Sequence, residues 1–175
     1  TTGVIVVAKD NQVHHRLSEQ FEQRVVRKTY LAIVHHVLQR DSDYIETHMR
    51  VHPGNRQKMC VCEPGGNSRE AVTYYEVQER FDDYTFVKLF PRTGRTHQLR
   101  VHMKHLGHPI VADTLYGGQT PDELFSATES PHDSEEDLAE LDSQTESPPE
   151  NHLEMIHRQA LHAWRLELNH PVSGA

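Results

Sequence analysis

Cysteine is nearly absent: Cys60 and Cys62 are the only two in 175 residues. Set one residue apart, their side chains share one face of a strand, and no second pair exists to complete a zinc site. A disulfide-built scaffold is thereby excluded, and a reduced, cytoplasmic protein is the expectation. Long apolar runs are missing too. Nothing approaches the roughly 18 consecutive apolar residues of a membrane span. No signal peptide is visible, and the chain opens abruptly on "TTGVIVVAKD" without a methionine. Positive charge is short overall, with 18 Lys and Arg against 26 Asp and Glu for a formal net charge of -8. Such a balance by itself argues against a polyanionic partner.

The deficit is local. Residues 119–152 contain 11 Asp and Glu and no Lys or Arg. Taking those 11 from the 26 acidic residues leaves 15 against 18 basic ones, so the remainder of the chain carries +3. Within 119–152 the only large apolar residues are Leu124, Phe125, Leu138 and Leu141. Too little could be buried there to offset chain entropy, so the segment reads as a disordered or loosely helical surface insertion.

Around it, strand and helix patterns alternate. "GVIVVAKD" reads as a buried strand closing in a turn. Val13, Leu17 and Phe21 recur every four residues, which predicts a helix over 13–23. "VVRKTYLAIVHHVL" alternates Val26, Lys28, Tyr30 and Ala32 against Arg27, Thr29, Leu31 and Ile33, a strand with two faces. Pro-Gly and Gly-Gly turns then separate strands expected at 59–62, 71–80 and 84–91, an antiparallel meander. A helix is predicted from about Thr96 to Leu106, ended by Gly107 and Pro109. A last strand, "LHAWRLEL", sets Leu161, Ala163, Arg165 and Glu167 against His162, Trp164, Leu166 and Leu168.

The basic groups concentrate where the meander meets the second helix, in "PRTGRTHQLRVHMKHLGHPIVADTLYG". A tight turn through Gly94 leads into the helix, and Arg95 stands at the junction. There its planar fork can meet a carboxylate or phosphate beside the free amides of a helix start. Arg92 and Arg95 could equally do no more than solvate the turn. His97, His102, His105 and His108 invite a metal hypothesis, but neither H-E-x-x-H nor a facing cysteine pair accompanies them. No metal is expected.

Four blocks in order resemble the pseudouridine synthases of the RluA type. "TTGVIVVAKD" resembles the tail of R-L-D-x-x-T-[ST]-G with its strand, "RKTYLAIV" resembles K-x-Y-x-A-x-V, "GRTHQLRVHMKHLGHPIVADTLYG" resembles the long family signature, and "QALHAWRLELNHPVSG" resembles the closing strand. The resemblance implies an α+β fold with a mixed, mostly antiparallel sheet and peripheral helices. Residues 1–175 would then form a partial catalytic domain, with 119–152 an acidic insertion within it. It implies isomerisation of uridine in structured RNA, ribosomal or transfer, by a monomer with no cofactor. Tyr30 would stack on the flipped base and take the C5 proton. Arg95 would hold the nucleophilic aspartate charged and oriented. RNA contacts would come from Lys28, Arg92, Thr96, His97, Gln98, Arg100 and His102.

Three departures from the pattern stand out. The nucleophilic aspartate belongs three residues before Thr1 and so is not in this chain. His35-His36 follows "AIV" where the family usually turns at glycine, and Ala112 precedes Asp113 where Gly-Asp is usual. An RNA-binding module without catalysis is the alternative that the missing aspartate raises.

Overall fold

The computed structural model describes residues 1–118 and 158–173; the acidic segment 119–152 lies outside them. Seven strands and two helices are laid out in chain order: β1 (Thr2–Gly3), α1 (Asn11–Glu22), β2 (Arg27–His35), β3 (Ser42–His52), β4 (Asn55–Cys62), β5 (Arg69–Arg80), β6 (Tyr84–Pro91), α2 (Gln98–His105) and β7 (Leu161–Glu167). The strands join in one sheet of order β1-β7-β2-β6-β5-β3-β4. Only β1 and β7 pair in parallel. The other pairs are antiparallel, so the mixed, mostly antiparallel α+β architecture stands. No helix among the described residues is long and apolar enough to cross a membrane.

One face of the sheet makes the core. Ala32 and Val34 of β2 pair with Val87 and Thr85 of β6, and directly paired residues share a face. Leu89, Tyr75 and Ile45 extend the same surface, and Leu99 and Met103 of α2 pack onto it. Met103 is fully buried, worth about 1.5–3 kcal/mol against leaving it in water. A smaller cluster of Met49, Ala71, Val101 and Tyr116 ties α2 to the β3 end of the sheet.

The second strand, the meander and the closing strand fall where periodicity puts them, but two expectations need correction. "GVIVVAKD" is not a buried strand: β1 is two residues long, and Ile5 and Val7 are 83% and 79% exposed. Apolarity there records a tendency to be buried, without a neighbouring strand to satisfy it beyond Val4, whose N–H reaches the Ala163 carbonyl at 2.9 Å. The closing strand does not alternate throughout. Its register shifts opposite Thr29/Tyr30, where Ala163 pairs with Tyr30 and Arg165 with Thr29, so Trp164 is the extra residue of a bulge.

Both departures at glycine positions keep the backbone that glycine would favour. His36 sits at φ 64° and Ala112 at φ 57°, in the left-handed region that costs a side chain about 1–2 kcal/mol. His36 holds its place by donating its N–H to the Asp83 carbonyl at 2.7 Å.

Candidate RNA-modifying cleft

A cleft of about 440 Å³ opens where β2, the end of β6, the start of α2 and the chain's first residue converge. Tyr30 enters from β2, on the same strand face as Lys28 and Ala32. Arg95, His97 and Arg100 enter from the turn and α2, and Thr1 stands at the rim. Every charged residue lining this cavity is cationic, and no carboxylate lines it among the described residues.

Gln98 builds the turn that carries Arg95. Its Oε1 accepts from the Thr93 hydroxyl at 2.7 Å and from the Arg95 N–H at 3.0 Å. Its Nε2 donates to the Val72 carbonyl and the Thr73 hydroxyl, both at 2.9 Å. All four bonding positions of the buried amide are thus filled. Thr93 also accepts the Val72 N–H at 2.9 Å, clamping the turn to β5. Arg95 is steadied by Nε donating to the Glu70 carbonyl at 2.9 Å. Among the described residues it forms no ion pair, so its charge is uncommitted in the cleft.

The neighbouring groups are tuned by burial. Desolvation, with Arg24 as a second cause, lowers the Lys28 pKa. Burial raises that of Tyr30, keeping the phenol protonated at neutral pH. Burial, then the Arg100 charge, lowers that of His97, which stays neutral. The His97 Nδ1 and the Tyr116 hydroxyl lie 2.9 Å apart, and that hydroxyl accepts the Met59 N–H. Arg100 is fixed by two bonds to Asp113, Nε to Oδ2 and Nη2 to Oδ1, both 2.7 Å, and lies over the Tyr116 ring. The Asp113 hydrogen bonds are the largest cause of its raised pKa. Asp113 is buried and wholly engaged, so it is no substitute nucleophile.

Thr1 is held at the rim by β1. Thr2 pairs with His162, its hydroxyl 2.8 Å from His162 Nδ1. A Cβ on Gly3 would stand 2.1 Å from the Ala163 carbonyl oxygen, and its φ is +109°. Only glycine lets β1 approach β7 this closely.

Of the expected site residues, Lys28, Tyr30, Arg95, His97, Gln98 and Arg100 border one cleft. Arg92 lines two adjoining cavities instead, and Thr96 is exposed outside all three. Gln98 and His102, expected as RNA contacts, are both placed inside the protein. Gln98 is committed to the turn, and His102 is fully buried, its Nε2 3.0 Å from the Thr47 hydroxyl. Burial lowers the His102 pKa to about 4, with His105 adding to the effect. Thr93, Asp113 and Tyr116 support the site but were not singled out by sequence; the last two lie in the "VADTLYG" part of the signature. Among the described residues no group of His, Cys, Asp or Glu could hold a metal ion.

A mixed sheet carries, at a strand-to-helix turn, a cleft whose charged lining residues are all cationic among the described residues. The chain belongs to the RNA pseudouridylate synthase family, whose family model matches residues 1–105. It is 37% identical over 174 residues to a ribosomal large subunit pseudouridine synthase D of Nitrosomonas europaea, covering 99% of this chain and 42% of that protein. To the protein of the same name from Xanthomonas campestris it is 41% identical over 175 residues, covering 99% of this chain and 46% of that one. The chain thus spans less than half the length of these curated relatives. Its fold is similar to human RNA pseudouridylate synthase domain containing 1, with a TM-score of 0.64 and 28% identity over 91% of this chain and 56% of that one.

Proposed function

We propose that the cleft isomerises uridine to pseudouridine in structured RNA, ribosomal or transfer, using a carboxylate joined to the chain ahead of Thr1. The observation that carries this reading is Thr1 at the rim of the cavity that holds Tyr30 and Arg95, which forms no ion pair among the described residues. A residue a few positions upstream is within reach of both. Arg95 stabilises that carboxylate as the anion, since an opposite charge within about 4–6 Å favours the ionised form. The carboxylate oxygen attacks the anomeric carbon and breaks its bond to N1, releasing uracil as its anion. The base turns over against the Tyr30 ring. C5 then attacks the same carbon, displacing the carboxylate; N1 takes a proton from solvent and the C5 proton leaves to a base, for which the Tyr30 oxygen is the candidate, its own proton passing to solvent as it accepts the one from C5. Arg100 and His97 face the nucleotide's polar atoms.

That no carboxylate lines the cleft among the described residues supports a second reading, an RNA-binding module without catalysis. Arg95→Lys in a protein carrying the upstream aspartate separates the two. Charge is kept and the fork is lost, so RNA affinity should change by less than about 1 kcal/mol. Single-turnover pseudouridine formation should slow at least about a hundredfold. Equal losses in binding and rate would make Arg95 a phosphate contact only.

A further inference from the structure

Lys28 borders three cavities. Besides the cleft, it lines one of about 260 Å³ with Arg24, Arg92, Arg95 and one carboxylate, Glu22, and one of about 520 Å³ with Arg24, Arg27 and Arg92. The largest cavity also contains Glu76 and Glu167, but four cations outnumber two carboxylates, and Glu167 is already paired with Arg165 at 2.6 Å. Arg24 is held here at φ 60°, a conformation uncommon for a non-glycine residue. The cavity's far wall is Tyr74 and Phe90. These rings lie on the sheet face opposite α2, and with Tyr44 they form a row across β3, β5 and β6, with centroids 4.9 and 5.8 Å apart. Tyr44 is 51% exposed.

We propose that this surface binds the single-stranded RNA flanking the target uridine, leading it from the cleft past Lys28, Arg24 and Arg92, around the end of the sheet, onto the Tyr74–Phe90 rings. The proposal rests on the uridine-isomerising reading and extends it to a region that takes no part in the chemistry. Cations spaced along continuous cavities neutralise successive phosphates. Aromatic rings displayed on a sheet are a stacking platform for unpaired bases, tolerant of sequence because every base has a flat face. A duplex cannot use them, because its bases are already stacked on one another. Charge favours RNA over an apolar protein segment as the occupant, since Arg24, Arg27, Lys28 and Arg92 line the same cavity as the Tyr74 and Phe90 rings.

Fluorescence anisotropy of the full chain tests the proposal, with a short uridine-rich single strand and the same sequence annealed as a duplex. Tyr74→Leu with Phe90→Leu keeps apolar volume but removes the rings. It should weaken single-strand binding at least about fivefold, leaving its salt dependence and duplex binding unchanged. Arg24→Gln with Arg27→Gln alters exposed residues that the fold does not need. It should weaken single-strand binding and lower the slope of log affinity against log salt by about one. Ring variants that bind the single strand like the parent, or that lose strand and duplex equally, would overturn the proposal while leaving the cleft reading intact. A parent chain that binds neither RNA would overturn both.

Discussion

At the scale of single residues, the cleft rests on polar groups that never meet solvent. His102 has no hydrogen-bond partner at Nδ1. Its neutral tautomer therefore carries the proton on Nε2, toward Thr47, because a buried bare lone pair is tolerated more readily than a buried bare N–H. Unfolding lets this imidazole take up a proton near its ordinary value of 6.5, whereas the folded protein resists until about 4. The unfolded state thus binds more protons between these values, and stability is lost as pH falls through that window. The loss should be about 2 kcal/mol by pH 5 and about 3 kcal/mol by pH 4, less at the site itself in His102→Leu. Urea unfolding of parent and variant between pH 7 and 4 measures it; parallel profiles would refute the assignment. Gln98→Leu strands the Thr93 and Thr73 hydroxyls, so a destabilisation of about 2–4 kcal/mol is expected from chemical denaturation. The family resemblance put both residues on the RNA. Helical spacing points to their burial instead: Gln98 and His102 are four apart and adjacent to Leu99 and Met103, so all four share the buried stripe.

At the scale of elements, legibility followed how completely an element buries one face. β2 and β6 were readable because alternate residues are interior. β3 was not identified, since "SDYIETHMRVH" buries only Ile45 and Met49 among charged and polar neighbours. Here pairing with β4 and β5 outweighs a weak local signal. The helix start was placed two residues early because His97 takes a left-handed conformation, φ 57°, before α2 begins. Turns at His36 and Ala112 make the same point in reverse: tertiary contacts impose the left-handed geometry although the residue disfavours it. His36→Gly should therefore stabilise the protein by about 0.5 kcal/mol, the relief of backbone strain exceeding the added entropy of the unfolded chain. Thermal unfolding would show a higher Tm; a lower one would mean that the His36 ring contacts with His35 and His108 matter more than the strain.

At the scale of the whole molecule, a formal charge of -8 hides a cationic cleft because opposite charges are segregated along the chain. The family resemblance was legible from four ordered blocks, and the match over residues 1–105 agrees with it. Distances could not be read in the same way: the convergence of Thr1, Tyr30 and Arg95 arises from β1 lying beside β7 and β7 beside β2. That convergence is the central claim, and tritium release from RNA labelled at uridine C5 tests it most directly. The 175-residue chain should release none, since no carboxylate lines the cleft among the described residues. The chain extended upstream by the Arg-Leu-Asp block at family spacing should release tritium, and Tyr30→Phe in that protein should stop it. Release at an enzymatic rate by the unextended chain, or undiminished release after Tyr30→Phe, would contradict the account.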